Sequence, residues 1–342
     1  MTHDYSKTLS TLLERTSLSP EQVRLAFEAI LSGAWTPVQV AGFAIALRAY
    51  GESAETIVAA TQAMRTAMLA VDHDLPLVVD TCGTGGDGSQ TLNLSSGAAV
   101  VVAACGLPVA KHGNRSASSR CGSADVFEAM GIPIDVPPAR QKSVLREAGI
   151  AFLFATAHHP ALKHASQARR ELGARTIFNV LGPLANPARA THQLVGVYDD
   201  SLRSIVAHAL GGLGTKRAWI VRSEDGLDEV SPCAPTRVSE LAEGHVREFV
   251  VTPGDFGVEH MARSALAGGD AEFNARALAA ILAAEAHPAR EAVVLNAAAA
   301  LCMATGESPR DCASRARRAI DEGATRDTLE RWRRAAAHAR EP

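Results

Sequence analysis

The chain has 342 residues, of which 47% are hydrophobic and 21% charged, as in a globular protein with a large buried core. At roughly 150 residues per domain, this length predicts two domains. The formal net charge is −3 and only 4% of the residues are aromatic. Nucleic-acid binding is therefore disfavoured as the main function, because neither a cationic surface nor base-stacking platforms are indicated.

The cysteine pattern and the start of the chain indicate a cytoplasmic protein. The six cysteines are scattered, with no C-x-x-C pair and no His cluster at zinc spacing, which favours reduced thiols. Residues 1–30 mix acids and bases, so no signal peptide is predicted. The longest apolar stretch, residues 97–110, is shorter than the roughly 20 residues that a membrane helix needs. We therefore expect no membrane contact.

Residues 1–70 are predicted to form a small all-helical domain. Residues 19–22 and 36–39 each begin with Ser or Thr, continue with Pro and end with Gln, which is a capping box with Pro at the first helical position. Gly33 and Gly51 stand where the next two helices should end.

From residue 77 onward, strands alternate with helices. Strands are predicted at 77–79, 107–110, 150–154, 193–197 and 218–221, and helices at 95–105, 123–130, 139–148 and 159–173. Residues 176–187 are predicted to be irregular, and residues 260–337 to be mostly helical. Because a strand, a helix and a second strand form a crossover unit, the larger part should be an α/β domain with a mostly parallel central sheet.

A glycine-rich segment, residues 80–96 (DTCGTGGDGSQTLNLSS), follows the first predicted strand. Its residues 83–88 match G-x-G-x-x-G, but the acid that a dinucleotide site needs about 20 residues later is missing from residues 105–110, and Lys111 follows instead. No G-K-[ST] is present, which argues against a Walker loop. Two interpretations remain open: a phosphate-binding loop at a helix N-terminus, or a turn that only joins strand to helix.

A basic, hydroxyl-rich segment, residues 111–125, is predicted just past the next strand. Ligands of open α/β sheets gather at the carboxyl ends of the strands, so this segment should face the glycine loop across one crevice and hold phosphates. Alternatively, Lys111 and Arg115 are solvated, residues 123–125 cap the next helix, and His112 is a turn residue without chemistry.

Two further segments are candidate binding elements. Asp228 and Glu229 follow a predicted strand, and Mg²⁺ is usually held by one or two carboxylates together with substrate phosphates. The alternative is a solvated acidic turn. Residues 168–179 begin with a basic helix that could hold an acidic organic substrate or could be a solvated face.

Five segments, taken in order, closely resemble the anthranilate phosphoribosyltransferase family: 83–88 (GTGGDG), 111–115 (KHGNR), 122–125 (GSAD), 175–187 (RTIFNVLGPLANP) and 226–229 (GLDE). Members of that family transfer phosphoribose from phosphoribosyl pyrophosphate (PRPP) to the amine of anthranilate, using Mg²⁺ and releasing pyrophosphate, as the second step of tryptophan synthesis. They form homodimers, with the active site in a cleft between a small helical domain and a larger α/β domain.

The resemblance implies the domain bounds and the site residues. Residues 1–70, with an additional part near 160–187, would be helical, and residues 75–158 and 190–342 would form the PRPP-binding α/β domain. PRPP would be held by Gly83, Gly86, Asp87, Thr91, Asn93, Ser95, Ser96 and Lys111, anthranilate by Gly83, Asn114, His159 and Arg169, and Mg²⁺ by Ser95, Asp228 and Glu229. The catalytic residues would be Lys111, His112 and Arg169.

The chemistry of such a transfer agrees with this set of residues. Breaking the bond to pyrophosphate builds negative charge on the leaving group, so cations and N–H donors are the main requirement. An arylamine is neutral and already nucleophilic, so His112 is a candidate proton acceptor only within hydrogen-bond reach. Two rival functions remain: transfer to another acceptor, such as a pyrimidine, and a catalytically silent binding protein.

Overall fold

The computed structural model describes residues 4–116 and 120–341. Its first part holds four helices: α1 (Tyr5–Leu13), α2 (Pro20–Leu31), α3 (Pro37–Tyr50) and α4 (Ala54–Ala67). Both predicted capping boxes are confirmed. The hydroxyls of Ser19 and Thr36 accept from the backbone N–H of Gln22 and Gln39, whose side-chain oxygens accept in return from the cap residues at 2.8 and 2.9 Å.

A seven-stranded sheet lies at the centre of the remaining chain, in the order β3-β2-β1-β4-β5-β6-β7. Its strands are β1 (Val79–Gly83), β2 (Val109–Gly113), β3 (Ile150–Phe154), β4 (His192–Gly196), β5 (Arg217–Ser223), β6 (Thr236–Ala242) and β7 (His245–Val251). The first five strands in chain order pair in parallel, and β6 and β7 are antiparallel. The predicted fold class is confirmed.

Further helices cover both faces of this sheet. They are α5 (Leu94–Ala104), α6 (Ser123–Ala129), α7 (Gln141–Ala148), α8 (Ala155–His158), α9 (Lys163–Leu172), α10 (Ile177–Leu184), α11 (Leu202–Gly212), α12 (Ala271–Leu282), α13 (Arg290–Thr305), α14 (Pro309–Asp321) and α15 (Ala324–Arg340). Within residues 4–116 and 120–341, no helix is long and apolar enough to cross a bilayer.

Three predictions about elements were wrong in detail. The first two strands start two residues later than predicted and run further, because their parallel register begins at Val79 opposite Val109 and His192. The hairpin of β6 and β7 was not predicted. The segment predicted to be irregular contains α10, because its glycine and proline lie in the last turns of a short buried helix that packs against α3 and α4.

The sheet separates two apolar cores, and side chains alternate between them along each strand. In β5, Trp219 and Val221 join the core that contains α5, α13 and α15, whereas Ala218 and Ile220 join the core that contains α1–α4. The second core also includes residues of α9 and α10, and α9 packs against α2 and α3. This packing supports the prediction that residues near 160–187 belong with the helical part, although the domain bounds themselves stay a prediction.

Candidate active site

The crevice lies where the strand order changes direction. β1 has β2 on one side and β4 on the other, so the chain segments that leave these parallel strands diverge at their carboxyl ends. Such a switch point is where ligands bind in open α/β sheets. The glycine loop (residues 83–88) follows β1, residues 114–116 follow β2, and the acidic turn (Asp228 and Glu229) follows β5.

The glycine loop is exposed and adopts a conformation that requires glycine. Gly85, Gly86 and Gly88 have φ of +64°, +81° and +75°, in the left-handed region where other residues are strained. The loop is tied to the end of β4: Thr84 N–H donates to the Gly196 carbonyl at 2.9 Å, and its hydroxyl accepts from Tyr198 N–H at 3.0 Å. A segment of this conformation presents backbone N–H groups to an anion.

The start of α5 closes the loop with polar side chains. Asn93 donates to the Cys121 carbonyl at 3.2 Å and accepts from the side chain of Asn274 at 2.9 Å. The Thr91 hydroxyl lies 3.2 Å from that of Ser89. The Ser96 hydroxyl is buried without a hydrogen-bond partner among the described residues. The positive end of a buried eleven-residue helix thus points towards the glycine loop.

The acidic turn meets this helix start directly. Glu229 Oε1 accepts from Ser95 N–H at 3.1 Å, and a Cβ placed on Gly83 would lie 3.1 Å from Asp228 Oδ2. Burial raises the pKa of Asp228 well above its usual range, and the neighbouring carboxylates of Asp87 and Glu229 raise it further. Burial also raises the pKa of Glu229 to about 7, against the opposing effect of Lys111.

Asp228 and Glu229, with Asp87 beside them, carry the oxygen donors that Mg²⁺ takes together with substrate phosphates. Asp87 Oδ2 is buried without a hydrogen-bond partner in the described part of the chain, and the three like charges repel one another. Across residues 4–116 and 120–341, no group of three His, Cys, Asp or Glu side chains is placed to hold a metal ion. Mg²⁺ needs none, because it takes one or two carboxylates and completes its shell with water and substrate phosphates.

Lys111 lies within β2 rather than on a loop, which corrects the predicted placement. It is only 2% exposed, and its Nζ donates to the Thr81 carbonyl and lies 3.5 Å from Ser95 Oγ. Burial lowers its pKa, and the buried carboxylate of Asp80 opposes that shift. The ammonium therefore sits beneath the start of α5, next to the acidic turn, and the alternative of a solvated cation is excluded for this residue.

The prediction that Arg115 faces the glycine loop was wrong. Its guanidinium pairs with Asp125 and Glu128, both at 2.8 Å, on the first turns of α6. Asp125 also accepts from Gly122 N–H at 2.9 Å and so caps that helix, as the alternative interpretation allowed. Residues 117–119, in the middle of the predicted basic segment, lie outside the described residues.

Two neutral histidines line the crevice beside β2. The rings of His112 and His159 lie 5.1 Å apart, and Nε2 of each is buried without a hydrogen-bond partner among the described residues. His112 Nδ1 lies 3.0 Å from the Gly182 carbonyl, which can only accept, so Nδ1 carries the proton and Nε2 keeps its lone pair. Burial lowers the pKa of His112 well below its usual range and that of His159 to about 4.

Another buried histidine, His192, makes folding stability depend on pH. Burial and two nearby cations lower its pKa to about 4, whereas the unfolded chain takes up this proton near pH 6.5. Between these values the unfolded state binds more protons, so this group destabilises the fold as pH falls. Between pH 4 and pH 6.5, we expect the unfolding free energy of His192→Gln, measured by urea titration, to change with pH by about 1.4 kcal/mol per pH unit less than that of the wild type. His338→Gln, an exposed control, should leave the slope unchanged; equal slopes for all three proteins would contradict the prediction.

Two of the four predicted anthranilate contacts, Arg169 and Asn114, have exposed side chains, whereas His159 is buried. Arg169 is on α9, with its guanidinium 5.7 Å from the ring centroid of Phe178, and no carboxylate of the described residues pairs with it. Asn114 follows β2, and its Oδ1 accepts from Arg115 N–H at 2.8 Å. The structure thus brings Ser95, Lys111 and the acidic turn into direct contact, and places Arg169 on the helical side of the crevice.

Three further residues at this site were not predicted as site residues, although Arg175 begins one of the segments that carry the family resemblance and Asn296 lies where that resemblance ends. Arg175 stacks 4.3 Å from the ring centroid of Tyr198 and donates to the Gly86 carbonyl. Gly196 lies against the Asp228 carbonyl, and Asn296 bonds to the backbone of Val230. For Asn296 a signal was present, because it is a single amide in an otherwise apolar helical stretch.

Two family models together match most of the chain. Residues 75–326 match the model described as "Glycosyl transferase family, a/b domain", and residues 6–68 match "Glycosyl transferase family, helical bundle domain". The anthranilate phosphoribosyltransferase of Myxococcus xanthus is 46% identical over 323 residues, which cover 94% of this chain and 96% of that protein. The chain belongs to the anthranilate phosphoribosyltransferase family. A family member from Rhodospirillum rubrum is 49% identical over 92% of this chain and 90% of its own length.

Solved structures of the family have the same fold. The anthranilate phosphoribosyltransferase of Thermus thermophilus superposes with a TM-score of 0.91 at 37% identity, over 96% of this chain and 99% of that one. The family member from Saccharomyces cerevisiae, in complex with PRPP and Mg, has a TM-score of 0.90 at 28% identity, with 98% of each chain covered.

Proposed function

We propose that this protein transfers the phosphoribosyl group of PRPP to the amine of anthranilate, giving N-(5-phosphoribosyl)anthranilate and pyrophosphate. The contact between Ser95 N–H and Glu229 carries the proposal, because it joins an anion-binding helix start to a cation-binding acidic turn. A magnesium diphosphate needs both at one place. The complex of the yeast relative with PRPP and Mg supports the same substrate here.

The diphosphate of PRPP would lie on the glycine loop and the start of α5. Backbone N–H groups of Gly85 and Gly86, the hydroxyl of Ser96 and the positive end of the helix offer donors without requiring reorganisation. As the bond to C1 of the ribose breaks, negative charge grows on the leaving pyrophosphate. Donors that are fixed beforehand stabilise that charge more than water does.

Mg²⁺ would be held by Asp228, Glu229 and the hydroxyl of Ser95, together with the diphosphate of PRPP. When bound, Mg²⁺ supplies positive charge that neutralises the pyrophosphate as it leaves. Lys111 contributes differently: from beneath the helix start, its ammonium offsets the negative charge of the acidic turn.

Anthranilate would enter from the helical side. Its carboxylate suits the unpaired guanidinium of Arg169 and the side chain of Asn114. Its aromatic ring suits the neutral rings of His112 and His159. His112 Nε2 keeps a free lone pair, so it can take the proton that the amine loses after attack on C1.

We also propose a homodimer formed through the helical part. Leu13 is 69% exposed at the end of α1, and Val38 and Ile45, seven residues apart on one face of α3, are 80% and 41% exposed. α1 packs against α3, so both helices carry exposed apolar side chains on the same part of the fold, which a second copy could cover. Sedimentation velocity tests this proposal: a species of one chain mass at micromolar concentration contradicts it.

Loss of anthranilate fluorescence in the presence of PRPP and Mg²⁺ tests the proposed reaction. Turnover is expected with anthranilate, to depend on both PRPP and Mg²⁺, and to be absent with uracil or thymine. Turnover with a pyrimidine alone would instead indicate a related transferase or phosphorylase with another acceptor. Binding of PRPP without turnover of any acceptor would indicate a binding protein.

Replacing Arg169 with Ala should weaken the binding of anthranilate. Loss of a charge-assisted hydrogen bond of about 1.5–3 kcal/mol is expected to raise the KM for anthranilate roughly tenfold or more, with a smaller change in the KM for PRPP. Steady-state kinetics measure both constants. Arg170→Ala is the matched control, since it removes an exposed cation from the next position of α9. An unchanged KM for anthranilate in Arg169→Ala would remove this contact.

A further inference from the structure

An amide lies in the middle of α13, a helix whose residues 292–304 are all buried. Asn296 is on α13 and is 0% exposed, with alanine, valine, leucine and methionine on all sides of it in the helix. Burying an amide in such surroundings costs free energy unless its polar atoms are bonded. Its bonds therefore indicate what the residue does.

Those bonds hold the residue that follows the acidic turn. Asn296 Oδ1 accepts from Val230 N–H at 3.0 Å, and Nδ2 donates to the Val230 carbonyl at 2.9 Å and to the Ala292 carbonyl of its own helix at 3.0 Å. Two bonds to both backbone groups of one residue fix its position and its orientation. Val230 is the neighbour of Glu229, so the constraint acts directly on the carboxylate that meets Ser95.

The same helix also packs against α5, which carries Ser95. α13 therefore contacts both halves of the site: α5 through apolar side chains, and the acidic turn through one amide. The turn needs such a constraint, because Asp228 and Glu229 repel each other and Asp87 when no cation lies between them. A site of this kind tolerates displacements of only about 0.5 Å.

We propose that Asn296 is a positioning residue of the diphosphate and metal site. Its amide is 0% exposed and is bonded to backbone groups at both polar atoms, so it acts through Val230 and thereby sets the distance between Glu229 and the start of α5. This proposal rests on the proposed function, since it assigns Asn296 to the site that would take PRPP and Mg²⁺.

The test measures metal binding and local protection as well as turnover. Mn²⁺ is titrated by electron paramagnetic resonance in the presence of PRPP, and hydrogen exchange is followed in a peptide covering residues 226–233. For Asn296→Ala we expect Mn²⁺ to bind at least tenfold more weakly, the Val230 amide to exchange at least tenfold faster, and the KM for anthranilate to stay within twofold. Asn296→Gln keeps the amide but moves it by one methylene, so it should not restore binding.

Thr325→Val is the matched control. It removes another buried hydrogen bond, from the Thr325 hydroxyl to the Leu282 carbonyl at 2.6 Å, which joins the start of α15 to the end of α12 and does not involve the acidic turn. It should lower the melting temperature while Mn²⁺ affinity stays within twofold. Equal weakening by Thr325→Val and Asn296→Ala would overturn the proposal, because general loosening would then explain the effect.

Two other outcomes overturn the proposal separately from the proposed function. One is unchanged Mn²⁺ affinity in either folded Asn296 variant. The other needs no variant: a Val230 amide that exchanges in the wild-type protein as fast as an exposed loop amide is not held by Asn296. If the wild-type protein instead fails to bind Mn²⁺ with PRPP, or fails to turn over anthranilate, the proposed function itself is wrong.

Discussion

Turnover at fixed Mg²⁺ is expected to fall by about a hundredfold or more when Asp228 is replaced with Asn and Glu229 with Gln, a loss on the order of 3 kcal/mol in the transition state. The amides keep the size of the side chains but remove the two charges that would hold the cation on the pyrophosphate. Initial rates with saturating anthranilate, measured over a range of Mg²⁺ concentrations, test this expectation.

The stability of the same double variant provides a second test. The two carboxylates are partly buried and repel each other and Asp87, so neutral amides should leave the melting temperature of the metal-free protein equal or higher. Glu224→Gln is the control, because Glu224 lies on the same segment but is exposed and points to Arg237, 3.5 Å away. Full activity in the double variant would show that the acidic turn does not hold the metal. A similar loss of activity in Glu224→Gln would show that any lost negative charge on this segment lowers turnover, whatever its position.

Gly196→Ala should be as damaging although it changes one methyl group. A Cβ at the end of β4 would overlap the carbonyl oxygen of Asp228, and the Gly196 backbone cannot move away without breaking the pairing of β4 with β1 and β5, so the acidic turn must shift instead. We expect a loss of about 3 kcal/mol in unfolding free energy and a displaced acidic turn. The Mg²⁺ concentration that gives half-maximal activity should rise at least tenfold.

Urea unfolding and Mg²⁺ titration of activity measure these two effects. Gly254→Ala is the matched control, since the nearest atom to its Cβ would be 3.8 Å away and the residue lies on the short turn at Pro253–Phe256, away from the crevice. A Gly196→Ala protein with the stability and Mg²⁺ response of the wild type would show that the Asp228 carbonyl can shift freely.

Local signals in the sequence were sufficient for several features. The capping boxes at residues 19–22 and 36–39 depend on side chains three positions apart, so they form wherever the helix forms. The glycines of residues 85–88 mark a left-handed loop for the same reason, since backbone conformation is a property of each residue. The alternation of strands and helices was enough to predict the parallel core of the sheet.

The sequence did not predict where the strands end or that β6 and β7 form a hairpin, because both depend on pairing with strands elsewhere in the chain. Lys111 and His112 are polar residues with weak strand propensity, yet they are strand residues because β2 pairs with β3 along its whole length. Residues 236–251 contain too many charged side chains for a clear buried strand. Yet β6 is mostly buried, and its Glu240 accepts from Trp219 Nε1–H at 2.9 Å, whereas β7 forms the exposed edge of the sheet, where charged side chains meet water.

By itself the sequence determined the fold class, the glycine loop, the two carboxylates of the acidic turn and the family to which the chain belongs, because these depend on residue types at short spacing. Only the tertiary structure decided which charged side chains are free to bind a ligand and which are paired or buried within the protein. It paired Arg115 with the acids of α6, buried Lys111 beside Asp80, and left Arg169 unpaired among the described residues. Partners distant in the chain make these differences, and no local pattern specifies which distant groups will meet.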